Sequence, residues 1–196
     1  ADSYVGDPRT ARVLARPYRL VPSRIADWRR KRQLRLDETP ALYLHEYTSS
    51  GVTIRGLVGT ISLTTTAHRI HPHEQVNEAQ ASAMAQRLAV MQLNPAPILL
   101  LHQGPTSIRR LLSEVAAAPP QMVYTDRAGQ LQRIWRITST DHLELIRTEL
   151  AGTHAVIADG HHRYRAAQTL RTQVIAAQSE EHGWGSTLVM LIDHDD

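Results

Sequence analysis

The sequence contains no cysteine and no long run of apolar residues. Without cysteine there are no disulfides, no thiolate nucleophile, no iron–sulfur cluster and no cysteine-ligated zinc. No stretch approaches the roughly 20 apolar residues that a membrane span requires, and the N-terminal sequence lacks the basic-then-apolar order of a signal peptide. These absences predict a soluble chain with no membrane partner, in a reducing compartment for which the cytoplasm is the default.

Lysine is nearly absent as well, because Lys31 is the only one and arginine supplies almost all of the positive charge. Arginine binds anions in a bidentate geometry that lysine does not match, but we attribute this skew to the nucleotide composition of the source genome. The formal net charge is +3, from 22 Lys and Arg against 19 Asp and Glu. This balance is too even to indicate a nucleic-acid partner by itself.

The chain has 196 residues, of which 42% are hydrophobic. This is sufficient for one compact domain with a sizeable core. Residues 1–21 show no clear periodicity, and Ser23 is a candidate cap for a basic helix that runs to about Leu36. That helix is either a recognition helix for nucleic acid or, as we prefer, a solvated helix with a thin apolar stripe. We divide the chain into an N-terminal arm and basic helix, residues 1–37, and an α/β domain, residues 38–196. One expectation is that the sequence of this domain is truncated at its C-terminus.

Within the second part the apolar pattern alternates between the periods of strands and of helices. Hairpins are predicted at 41–63 and at 122–138, the latter with its turn near Ala128 and Gly129. Helices are predicted at 75–93, 107–118, 140–150 and 161–178, and further strands at 96–103, 154–159 and 186–193. The strand 96–103 is apolar throughout, which is typical of a strand buried on both faces. The order predicts an α/β fold, with α+β as the alternative, built on a mixed β-sheet with flanking helices.

One strand-to-helix junction has the components of an anion site. A strand is predicted to end at Asp159, Gly160 lets the backbone turn tightly, and His161, His162 and Arg163 occupy the first helical turn. The first N–H groups of a helix have no partner within it, and the helix dipole adds partial positive charge there. We therefore predict a seat for phosphate or another anion. Asp159 is either a helix cap or a carboxylate that serves catalysis or a cation.

A second candidate motif is His-Pro-His-Glu at 71–74. His71 and His73 alternate onto one side of an extended segment, and Glu74 is placed where the next helix begins. One interpretation is a zinc site that uses these histidines with His161 or His162, and Glu74 as the base. The alternative is that the histidines lie on the surface and that Glu74 merely favours the positive end of the helix.

The block Ala-Asp-Gly-His-His-Arg-Tyr at 158–164 resembles the signature of a widespread bacterial and archaeal family of domains of unknown function. The segments 40–63, 71–74 and 93–104 are similar to the upstream blocks of the same family, in the same order. The likeness spans roughly residues 38–192. The 158–164 block is specific, and the upstream blocks support it.

The same block also resembles that of free-serine kinases of the ParB and sulfiredoxin-like superfamily, which implies a ParB/sulfiredoxin-like core. The implied activity is transfer of a phosphoryl group from ATP or ADP, with Mg²⁺, to a hydroxy amino acid such as free serine. Glu74 would be the general base and Asp159 a catalytic or magnesium-linked carboxylate. The phosphate cradle would consist of Gly160, His161, His162 and Arg163. Phosphoryl transfer mostly requires positioning and charge neutralisation, which such groups supply.

Three positions depart from the family pattern. Val76 stands where family members have threonine, Arg19 stands where they have aspartate after Pro-Tyr, and Arg87 does not align clearly with their basic residue in the next helix. The alternatives are therefore a nucleotide- or phosphate-binding module without catalysis, and a ParB-like DNA-associated protein that uses the basic helix.

Overall fold

The computed structural model describes residues 16–49, 51–176 and 183–195. Within these ranges an eight-stranded mixed sheet is flanked by five α-helices, with two 3₁₀ helices at Arg16–Leu20 and Ala67–Arg69. The α-helices are α1 (Val21–Arg30), α2 (Glu78–Met91), α3 (Thr106–Ala117), α4 (Thr140–Glu149) and α5 (His161–Ala176). The strands are β1 (Leu42–Ser49), β2 (Val52–Ser62), β3 (Ile70–His71), β4 (Ile98–His102), β5 (Met122–Thr125), β6 (Leu131–Ile137), β7 (Ala155–Asp159) and β8 (Ser186–Asp193). The predicted α/β class with a mixed sheet is confirmed.

The sheet has the order β3-β7-β4-β8-β2-β1-β6-β5. Its half from β8 to β5 is antiparallel throughout and contains both predicted hairpins. In the other half β4 runs parallel to β8 and antiparallel to β7, and the two-residue β3 pairs in parallel with β7 at the edge. This arrangement brings the start of β4 beside the end of β7, where the predicted anion seat lies.

The core consists of three clusters of buried side chains. One packs α5 onto the mixed half of the sheet, and a second packs α3 and α4 onto the antiparallel half. The third joins α2 to α5 through Ala85, Leu88, Ala166 and Leu170. Small alanines allow two helices to approach closely, so α2 and α5 form a rigid pair. Because α2 is fixed against α5, the segment that precedes α2 is held near the first turn of α5.

Three local predictions in these elements are wrong: the cap of the first helix, its end near Leu36, and the burial of the strand 96–103 on both faces. The first helix begins at Val21 and ends at Arg30, so Ser23 lies inside it and donates its hydroxyl to the Leu20 carbonyl instead of capping the helix. Pro22 in the first turn is the stronger start signal, and Arg32 with φ +58° ends the helical path. The strand predicted to be buried on both faces has Leu101 39% exposed.

Parts of two further predictions fall outside the described residues. These are residues 1–15 of the N-terminal arm and the last two residues of the helix predicted at 161–178. None of the helices in the described ranges is long and apolar enough to cross a bilayer.

Candidate functional site

The strand-to-helix junction has the predicted geometry. β7 ends at Asp159, Gly160 has φ +97°, and α5 begins at His161. The backbone angle favours glycine, and a Cβ at this position would lie 2.9 Å from Nε of Arg163 and would displace that side chain. The first N–H of the helix to bond within the turn is that of Tyr164, which donates to the Gly160 carbonyl. The three preceding N–H groups lie at the positive end of the helix dipole.

The His-Pro-His-Glu segment lies directly over this junction. Glu74 Oε2 is 3.2 Å from Nδ1 of His161, and the backbone N–H of His73 points at Nε2 of the same ring at 3.4 Å. The His161 side chain is only 2% exposed. Nε2 therefore accepts from the His73 backbone, and Nδ1 is the ring nitrogen that lies next to the Glu74 carboxylate. The two predicted motifs meet in space.

His162 anchors the end of the same segment. Its Nε2 accepts from the backbone N–H of Asn77 at 3.3 Å, and the Asn77 side chain accepts from the Gln80 N–H as the cap of α2. Glu74 thus lies four residues before the helix rather than at its start, which corrects the prediction. The contacts of both histidines tie the segment 73–77 to the first turn of α5, so their side chains position that segment.

Arg163 is the third side chain of the first turn, and it is engaged by its own chain. Nη2 donates to Asp159 Oδ2 at 2.5 Å and Nη1 donates to the Pro97 carbonyl at 2.7 Å. The sequence predicts that this guanidinium binds an anion. In the structure the anion that it binds is the carboxylate of Asp159. The Asp159 carboxylate therefore pairs with Arg163 and does not cap the helix. Gly160 holds the N-cap position instead.

We call Glu74, Asp159, His161 and Arg163 the junction corner. Its two carboxylates face solvent, since the Glu74 and Asp159 side chains are 61% and 73% exposed. The side chains that contact these carboxylates are much less exposed, at 2% for His161 and 25% for Arg163. An exposed carboxylate whose orientation is fixed by a buried partner can accept a proton from a bound hydroxyl group.

The zinc interpretation is not supported. Within the described ranges, the one group of three His or carboxylate side chains whose ligand atoms lie within 4.8 Å of one another is Asp193, His194 and Asp195. His71 instead forms a stacked, hydrogen-bonded pair with His154, with Nε2 and Nδ1 2.8 Å apart. The histidines of the predicted site are therefore divided between two different contacts.

A second polar cluster, at the other end of β4, was not found from the sequence. We call His102, Gly104, Arg109 and Asp193 the Asp193 corner. Arg109 Nη1 and the Gly104 N–H both donate to Asp193 Oδ2, at 3.1 and 3.2 Å. Burial lowers the pKa of His102 below its ordinary value, and the nearby Asp193 opposes this only in part. One feature of the sequence could have indicated this cluster: His102 and Asp193 are polar residues that each end an apolar strand, and the two strands pair in parallel.

Comparison with known proteins gives one match. A family model described as "Protein of unknown function (DUF1015)" matches residues 5–196. No curated protein and no solved structure matches the chain. The family model covers both motifs of the junction corner as well as the Asp193 corner.

Proposed function

We propose that this chain, which belongs to the DUF1015 family of proteins of unknown function, transfers a phosphoryl group from ATP or ADP to a hydroxy amino acid such as free serine. The observation that carries this proposal is the contact between Glu74 and the buried His161 at the start of α5. It joins a potential base to an anion-attracting helix end. The ParB/sulfiredoxin-like relation belongs to the same proposal.

Glu74 acts as the general base. The hydroxyl oxygen of the acceptor attacks the terminal phosphorus of the nucleotide while its proton passes to Glu74. The bond from that phosphorus to the bridging oxygen breaks, and ADP or AMP leaves. His161 is a positioning residue, because its buried ring lies 3.2 Å from Oε2 of Glu74 and leaves the other carboxylate oxygen for the substrate.

The nucleotide phosphates lie on the backbone N–H groups of His161, His162 and Arg163 and on the Arg163 guanidinium. Arg163 must exchange Asp159 for a phosphate oxygen to take part. That exchange costs little, because an ion pair with a 73% exposed carboxylate contributes about 0–1 kcal/mol. A bidentate contact of arginine with phosphate is stronger than such a pair.

Asp159 fits a magnesium ion that arrives with the nucleotide. Mg²⁺ in phosphoryl-transfer sites is held by one or two carboxylates together with phosphate oxygens and water. Asp159 is exposed and keeps one carboxylate oxygen outside its contact with Arg163. When bound, the ion neutralises charge on the phosphates.

The test is incubation of the protein with Mg²⁺, ATP or ADP and a panel of hydroxy amino acids, followed by ³¹P NMR for a phosphomonoester product. We expect a product with serine or a close analogue. The absence of product from every member of the panel, with either nucleotide, would refute the enzymatic proposal.

A binding module without turnover is the second candidate, because Val76 and Arg19 stand where family members have threonine and aspartate. Calorimetric titration separates the two. Nucleotide binding that is lost in Arg163→Ala, with no product formed by the unaltered protein, would select the binding module.

A further inference from the structure

A cavity of about 260 Å³ lies beside the junction corner and is not used by the chemistry proposed above. Its walls come from the 3₁₀ helix that contains Tyr18, from one face of α2, from the loop before β4 and from the start of β8. Arg163 lines the cavity and also contacts Asp159 and the Pro97 carbonyl. The cavity therefore opens next to the proposed phosphate seat.

The lining of this cavity is mostly apolar and includes two arginines. Met84 and Met91 of α2 and Ala96 of the following loop supply apolar surface, and Arg87 and Arg163 supply positive charge. None of the described residues that line it is acidic. Such a cavity suits a ligand with an apolar ring and an attached anion.

We infer that this cavity receives the purine base of the nucleotide, an inference that rests on the proposed function. Methionine thioethers make favourable contacts with aromatic rings, and Tyr18 offers an aromatic side chain for stacking. The Asn94 amide provides both a donor and an acceptor for the polar edge of the base. A volume of about 260 Å³ lies below the range of roughly 300–1,000 Å³ that is common for whole drug-sized ligands, so it suits a base rather than a complete nucleotide.

The polar amino-acid substrate does not match this lining. Serine has a single CH₂ in its side chain and two charged groups, so burying it among methionines would cost desolvation free energy without an apolar gain. The acceptor is therefore expected on the Glu74 side of the junction, and the base on the Met84 side.

The four methionines of the chain provide a direct test, since Met84 and Met91 line the cavity and Met122 and Met190 do not. Met122 is 54% exposed on the edge strand β5, and Met190 is buried against Gly56. The unaltered protein is labelled with ¹³C at the methionine methyl groups and titrated with Mg²⁺–ADP and, separately, with Mg²⁺–pyrophosphate. We expect the purine ring current to shift the Met84 and Met91 signals with ADP, whereas pyrophosphate leaves them in place.

The outcomes separate this inference from the proposed function. If calorimetry shows that ADP binds while Met84 and Met91 stay unshifted, or shift equally with pyrophosphate, the base lies elsewhere and only the inference fails. If neither ADP nor pyrophosphate binds, the proposed function fails and the inference fails with it.

A variant that fills the cavity gives an independent readout. Ala96→Leu should weaken ADP binding about tenfold, equivalent to about 1.4 kcal/mol, and leave pyrophosphate binding unchanged. Ala128→Leu, in the exposed turn of the β5–β6 hairpin, is the matched control. Unchanged ADP affinity in folded Ala96→Leu would contradict the inference; if this variant does not fold, the methyl titration of the unaltered protein decides.

Discussion

The two ends of strand β4 carry clusters with the same components and different exposure. At each end an arginine donates through Nη1 to a backbone carbonyl, that of Pro97 for Arg163 and that of Gly104 for Arg109. Arg163 pairs with Asp159, and Arg109 pairs with Asp193 and, at 3.4 Å, with Asp195. The two arginines are almost equally exposed, at 25% and 27%. The carboxylates differ, because Asp159 is 73% exposed and Asp193 only 7%.

This difference separates a site that can accept a ligand from one that holds the fold together. A buried carboxylate that loses its partner becomes an uncompensated charge in a medium of low polarity. An exposed carboxylate is solvated by water, so its arginine can turn to another anion at little cost. We therefore propose that the junction corner is the functional one and that the Asp193 corner contributes stability.

The largest expected effect concerns catalysis at the junction corner. Glu74→Gln removes the base and keeps the shape, so we expect turnover to fall by about 100-fold or more, with little change in stability because the side chain is 61% exposed. The rate of phosphomonoester formation measures the effect. Glu114→Gln, which is similarly exposed on α3, serves as the control and should retain full turnover. Equal rates in both variants would show that Glu74 is not the base.

The second effect compares the two ion pairs in stability. Arg109→Met leaves the 7% exposed Asp193 carboxylate without its guanidinium, and we expect a loss of about 3 kcal/mol in the free energy of unfolding. Arg163→Met, which leaves the 73% exposed Asp159 without its partner, should change it by no more than about 1 kcal/mol. Chemical denaturation of the two variants beside the unaltered protein measures both values. Equal losses would remove the distinction between the corners.

The smallest effect is a pH dependence that belongs to the Asp193 corner. Because burial lowers the pKa of His102 from its ordinary value of 6.5, the unfolded chain takes up this proton at a higher pH than the folded chain does. The stabilisation is therefore complete above pH 6.5 and is lost as the pH falls from there through the lowered pKa. Thermal unfolding should show a smaller loss on acidification in His102→Gln than in the unaltered protein. His68→Gln, on an exposed histidine, should behave as the unaltered protein does.

Much of the fold follows from local patterns in the sequence. Apolar periodicity located most of the strands and helices, such as α3, which was predicted at 107–118 and spans Thr106–Ala117. The start of α2 was misplaced, because Pro72 and Glu74 imitate the signals of a helix start, whereas the cap is Asn77. Local sequence patterns alone cannot decide at which of two candidate positions the helix begins.

The site was predicted in composition but not in contacts. His73 and His161 are in contact although they are 88 positions apart in the sequence. The strand that brings the two segments together, β3, has only two residues and therefore shows no periodicity. Histidine is intermediate between buried and exposed residue types, so the sequence alone could not show that His161 is buried. The bond from Arg163 to the Pro97 carbonyl likewise depends on packing between distant segments.

The central claim is that the backbone N–H groups after Gly160 bind the phosphates of a nucleotide. The most direct measurement is ¹⁵N–¹H NMR of the labelled protein during titration with Mg²⁺–ADP. The account predicts that the largest amide shifts occur at His161, His162 and Arg163, and that the amide of Gly104 in the Asp193 corner does not move. Saturable binding with unmoved amides at the start of α5, or with the largest shifts at Gly104, would contradict it.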